Sequence, residues 1–186
     1  MLFRSVNEVI HPDANGKFSY KLEINKNYWV KISDPTHFAA LYPISTYAIK
    51  YSEVIDYPSA LDPIILNKPR INYKIKFEKK SVIFRKNAYR GLDEEIKMMR
   101  ENQQIKIEIA SYTDSRGTDK ENNDLTILRA NACKDYMVAN GIDSSRIIAS
   151  GYGETKLINQ CKNNVVCIDE EHEENNRIEI TITSID

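Results

Sequence analysis

The chain has 186 residues, 41% of them apolar and 28% charged, enough to bury a sizeable core and ordinary for a folded domain or two. A formal net charge of −1 with no basic stripe excludes the phosphate chemistry of nucleic-acid binding. No segment has the length of a membrane span, and MLFRSVNEVI at the start lacks the unbroken apolar run of a signal peptide or a lipoprotein cysteine after it. If the protein is exported, this chain is expected to be a trimmed piece.

The first 68 residues read as a small β domain. Asn15-Gly16 marks a turn, and Phe18, Tyr20, Leu22 and Ile24 then alternate with polar neighbours, as do Tyr28, Val30 and Ile32. Tyr42, Tyr47, Tyr51 and Tyr57, scattered among Pro, Ser and Thr, suit further strands or extended loops. Pro63 and Pro69 support a boundary at Leu66 to Arg70.

From residue 69 onward the pattern is that of alternating strands and helices. A strand is expected over 72–77, followed by a helix whose apolar stripe is Ala88, Leu92, Ile96 and Met99. Ile105, Ile107 and Ile109 alternate with charged residues and predict a half-buried strand, with Asp114 at its end. Gly117 and the polar run to Asp124 then read as a loop. Thr126 is the expected N-cap of a second helix bearing Ala130, Cys133 and Met137, stopped at Gly141. Further strands are expected over 147–152 and, from Ile178, Ile180 and Ile182, over 177–183. The acidic run Asp169 to Glu174 reads as a solvated helix face. The fold class predicted is α+β: two principal helices on one face of a mixed sheet with some parallel pairing.

The stretch from Thr113 to Ala132 carries the functional signal. Thr126 as N-cap puts Arg129 in a first helical turn, where a cation opposes the helix dipole and calls for an anion. Free helix-start amides and the Arg129 fork would suit a carboxylate, and Asp114 an ammonium group. The pair thus forms a candidate site for a small zwitterion. The plain alternative is structural, with Asp114 paired to Arg129, or Arg129 to Asp124; the residues alone favour it. Catalysis lacks support: no G-x-S-x-G elbow is present, and DSRGTDKENNDL places Arg116, Lys120 and Leu125 where a calcium loop needs ligands.

At these residues the chain resembles the peptidoglycan-binding domain of the outer membrane protein A family. The family pattern of T-D, a gap to G, then N-x-x-L-[ST]-x-x-R-A is met by Thr113, Asp114, Gly117, Asn122, Leu125, Thr126, Arg129 and Ala130. GID at Gly141 to Asp143 and GYGE at Gly151 to Glu154 extend the likeness; Asn175 and Arg177 match the ends of N-R-R, and Asn176 replaces the middle arginine. The resemblance implies non-covalent binding of the diaminopimelate in peptidoglycan's peptide stem, with Asp114 and Arg129 as principal contacts. Thr113, Asn122 and Leu125 would line the same pocket, with Arg177 either a further contact or a structural ion pair.

Similar envelope domains carry a cysteine pair followed by E-x-H-x-x-N, matched here by Cys161, Cys167, Glu170, His172 and Asn175. This implies a 161–167 disulfide and an oxidising compartment. Zinc is the rival reading, though Cys161, Cys167 and His172 supply only three ligands. Cys133, on the apolar helix face, reads as a buried thiol. Gly16 to Val30 also resembles part of a carboxypeptidase-regulatory-like β-sandwich. Together the two resemblances imply the carboxyl end of a periplasmic anchor tying an outer-membrane assembly, of secretion or gliding type, to the cell wall. No cofactor is expected, and the partners implied are peptidoglycan and other envelope proteins. The contrasting reading is a scaffold or adhesion module without a wall ligand.

Overall fold

The computed structural model describes residues 9–49 and 61–186. Two strands near the start, β1 (Asn27–Asp34) and β2 (His37–Ser45), form a two-stranded sheet. By its contacts the chain divides into two units, and the hairpin tip, 33–40, belongs to the larger while the arms belong to the smaller. The Asn15-Gly16 turn forms, closed by the Gly16 amide donating to the Asp13 carbonyl at 2.9 Å. The strand expected from Phe18 to Ile24 does not form; Phe18, Tyr20 and Ile24 are exposed. Alternation records only a preference for one face, and a strand forms where sheet pairing and packing reward it. Tyr51 and Tyr57 lie outside the described residues.

In the larger unit the order is β3 (Arg70–Ile71), α1 (Ala88–Glu101), β4 (Ile105–Tyr112), α2 (Asp119–Ala139), β5 (Ile147–Gly151), α3 (Asp169–Asn175) and β6 (Arg177–Ile185). The sheet runs β3-β6-β4-β5, with β4 and β5 parallel and the other pairs antiparallel. This is the expected mixed sheet. Ile105, Ile107, Ile109, Ile147, Ile178, Ile180 and Ile182 share one core with Leu92, Ile96 and Met99 of α1 and Cys133 and Met137 of α2. Both principal helices therefore cover the same face. Among the described residues no helix is long and apolar enough to cross a membrane.

Two elements differ from expectation. The first strand of this sheet ends at Ile71 rather than running over 72–77. Asn72 turns the chain out, its side-chain oxygen accepting from the Lys74 amide at 3.1 Å while its amide group donates to buried Glu95 at 2.8 Å. The second helix begins at Asp119, seven residues before Thr126. Thr118 is its N-cap, in a capping box: Thr118 Oγ1 accepts from the Glu121 amide at 3.2 Å and Glu121 Oε2 accepts from the Thr118 amide at 3.0 Å. Thr126 is instead a buried clasp, donating to the Asn123 carbonyl at 2.8 Å and accepting from the Gly153 amide at 2.9 Å. Gly141 stops the helix as expected, at φ +86°.

Candidate functional site

The end of β4, the flank of α2, the start of β6 and the loop before α1 surround a cavity of about 210 Å³. All six residues singled out in the sequence line it: Thr113, Asp114, Asn122, Leu125, Arg129 and Arg177. Arg129 does not reach it from a first turn. It lies ten residues into α2, so the helix-start amides contribute nothing beside it and the dipole argument fails. The charge is accommodated by carbonyls from distant sequence: Nε donates to Ser81 O at 2.8 Å and Nη2 to Glu78 O at 3.2 Å, with the guanidinium 5.0 Å over the Phe77 ring. Burial pulls the Arg129 pKa down, and the charges of Glu173 and Asp114 oppose that pull.

Asp114 is 7% exposed, and its carboxylate is fully engaged. Oδ1 accepts from the Arg116 amide at 2.8 Å and from Arg116 Nε at 3.1 Å. Oδ2 accepts from Arg116 Nη2 at 2.8 Å and Asn176 Nδ2 at 2.6 Å. Burial alone would raise this carboxyl's pKa, but the hydrogen bonds from Arg116 and Asn176 outweigh it and hold the group below the ordinary carboxylate range. Arg116 continues to Asp169 through Nη1.

Neither simple pairing of Arg129 with an aspartate forms among the described residues. Asp114 pairs with Arg116, and Asp124 with Lys120. Asn176 links the two expected residues indirectly, because its Oδ1 also accepts from Arg129 Nη1 at 3.2 Å. The position that departs from the family pattern therefore bridges the cation and the anion.

The remaining lining residues differ in how free they are. Among the described residues, Thr113 Oγ1 and Ser111 Oγ are buried and find no hydrogen-bond partner. Asn122 Nδ2 donates to the Asp114 carbonyl at 3.2 Å and to Glu154 Oε2 at 2.5 Å, holding the Asp114 loop against α2. Arg177 forms the structural ion pair, Nε donating to Glu179 at 2.7 Å and Nη1 to Asn175 O at 3.3 Å with the guanidinium 4.1 Å over the Tyr112 ring, and it still lines the cavity. Lys76, Lys79, Lys80 and Arg116 also line the cavity, so cations outnumber the carboxylates of Asp114 and Glu173. Burial lowers the Lys76 pKa, with Glu173 opposing it. Sequence reasoning missed Asn176 and Lys76, which pair across distant segments, Ser111, whose hydroxyl is buried on the cavity wall, and Arg116, a partner of Asp114 only two residues away.

Cys161 and Cys167 are joined as a disulfide, as the resemblance implied. Its loop is tied to the site, since Ser115 Oγ donates to Cys161 O at 2.7 Å and Asn163 donates to Glu154 at 2.8 Å. Cys161, Cys167 and Glu171 form the grouping of metal-ligand character among the described residues, but its sulfurs are bonded to each other. His172 contributes an unpartnered Nδ1 and does not belong to that group. Cys133 is free and buried, and burial pushes its thiol pKa up. Denatured without reductant, the protein is expected to show one titratable thiol. Reduction is expected to remove about 2 kcal/mol of stability, the chain-entropy value for so short a loop. Three thiols before reduction would contradict the pairing.

Residues 76–168 match the family described as the OmpA family. Outer membrane porin F of Pseudomonas fluorescens is 32% identical over 89 residues, covering 48% of this chain and 27% of the porin. The peptidoglycan-associated lipoprotein of Mesorhizobium japonicum is 30% identical over 91 residues, covering 49% of this chain and 54% of that protein. The chain thus spans well under two thirds of either relative. In fold, the crystal structure of the peptidoglycan-associated lipoprotein from Burkholderia pseudomallei is similar, with a TM-score of 0.52 at 20% identity over 57% of this chain and 86% of that one.

Proposed function

The chain belongs to the OmpA family, and from that premise we propose that it binds cell-wall peptidoglycan without covalent chemistry, anchoring a periplasmic assembly associated with the outer membrane. The ligand group is the diaminopimelate of the peptide stem, which ends in an ammonium and a carboxylate on one carbon. Asp114 takes the ammonium and Arg129 the carboxylate, with Thr113, Asn122 and Leu125 shaping the pocket. The observation that carries this reading is the placement of opposite charges on one cavity, each hydrogen-bonded to the same Asn176 side chain.

Donor counting supports the carboxylate half. A guanidinium has five N–H donors, and Arg129 spends three on Ser81, Glu78 and Asn176, so two remain for a ligand. The surplus of lysine and arginine around the cavity favours a stem peptide, which carries additional carboxylates. Each site binds modestly, since desolvating charged groups offsets much of the gain, and the many stems of a wall strengthen retention.

Purified sacculi test this. The protein is expected to sediment with them and to be released by millimolar free diaminopimelate, with no soluble wall fragments produced. Failure to sediment would overturn wall binding and favour a scaffold role, and sedimentation unaffected by the free amino acid would overturn the diaminopimelate contact.

A further inference from the structure

Resting on that reading of the cavity, the geometry points to Arg116 as a built-in competitor for the ligand's ammonium group, making it a specificity-determining residue of the site. An ionised carboxylate offers about four lone-pair positions. At Asp114 all of them are taken, one by the Arg116 main-chain amide, two by the Arg116 guanidinium and one by Asn176. An ammonium can reach this carboxylate only by displacing a donor. Arg129, by contrast, keeps spare N–H groups, so the carboxylate end of a ligand meets no such obstacle.

Arg116 is the donor built to leave. Asn176 also holds Arg129, and its loss would loosen both halves of the site. The Arg116 side chain is 31% exposed and already attached at its far end to Asp169, which is 71% exposed. Swinging away from Asp114 therefore transfers the guanidinium to a solvated partner rather than stranding it in a dry cavity. The incoming ammonium replaces one cation by another on the same carboxylate, so the cavity's charge balance survives the exchange. Ligands that carry a carboxylate but no amine gain nothing from displacing Arg116, and they lose a nearby cation if it is removed.

Calorimetric titration of the full chain with meso-diaminopimelate and with pimelate, the same carbon chain without amines, separates these effects. Arg116→Gln is expected to bind diaminopimelate about five-fold tighter than the unaltered protein, the scale set by partly exposed ion pairs. Its affinity for pimelate is expected to stay level or fall. Arg116→Lys, keeping the charge without the fork, is expected to lie between and covers the case in which the glutamine variant folds poorly. Equal or weaker diaminopimelate binding by both variants, with the unaltered protein still binding, would overturn the competitor role and leave the proposed function standing. Absence of diaminopimelate binding in all three proteins would overturn the proposed function, and the competitor role with it.

Discussion

Gly151→Ala is expected to lower folding stability by about 3 kcal/mol, the upper part of the range for forcing atoms into packed space. A Cβ at this position would stand 2.3 Å from the Ile127 backbone nitrogen and 2.7 Å from its Cα. Backbone atoms of a helix cannot rotate aside as a side-chain end can, so α2 would have to lift from β5. That shift also strains the clasp between Thr126 and the Gly153 amide, and with it the flank of α2 that carries Asn122 and Arg129. Chemical denaturation measures the loss. A change below about 0.5 kcal/mol, the ordinary effect of a surface substitution, would contradict the close approach.

Asp114→Asn is expected to weaken binding to sacculi and to free diaminopimelate by about 30-fold or more, the scale of truncating one partner of a buried, hydrogen-bonded charge pair. The replacement preserves shape, so the cavity walls persist while the negative pole is lost. Lys120→Ala, at an exposed residue paired with Asp124, is expected to leave binding unchanged. The pH dependence has a definite sign. Because the Asp114 carboxyl pKa is depressed in the fold, the group stays ionised at every pH above the ordinary aspartate value of about 3.9. Its stabilising contribution, and the binding that depends on it, are present above that pH and are lost as pH falls through the lowered pKa. A sedimentation profile that falls between pH 7 and 5 would point to a histidine or another group instead.

The core of the larger unit was legible because burial on one face imposes its period on the sequence. Ile105, Ile107 and Ile109, and likewise Ile178, Ile180 and Ile182, alternate because only every second residue meets the helices. Leu92, Ile96 and Met99 recur for the corresponding helical reason. The start of α2 was obscured by composition: Asp119 to Asp124 is polar enough to resemble a loop, although Thr118-x-x-Glu121 is a capping box. That single misplacement carried Arg129 into a first turn and produced a dipole argument the helix does not obey. Phe18 to Ile24 shows the opposite error, a clean alternation that the fold does not use as a strand.

The membership of the cavity was readable, whereas its wiring was not. Asp114 and Arg129 stood out by type and position. Of their actual partners, Arg116 lies only two residues from Asp114, whereas Ser81, Glu78 and Asn176 come into place only once β4 and β6 are in register, with Tyr112 opposite Arg177, and the loop before α1 folds across α2. Asn176 in particular looked like a missing arginine. In the fold its short amide spans an anion and a cation, which a longer guanidinium could not do, having no acceptor to offer Arg129.

A crystal structure of the chain soaked with meso-diaminopimelate would show whether a single amino acid spans both charges of the cavity. One α-carboxylate is expected within about 3.2 Å of the Arg129 guanidinium, and the ammonium on the same carbon within about 3.2 Å of an Asp114 oxygen, ordinary hydrogen-bond distances. A ligand seated elsewhere, or one that touches Arg129 while its ammonium points away from Asp114, would contradict this placement.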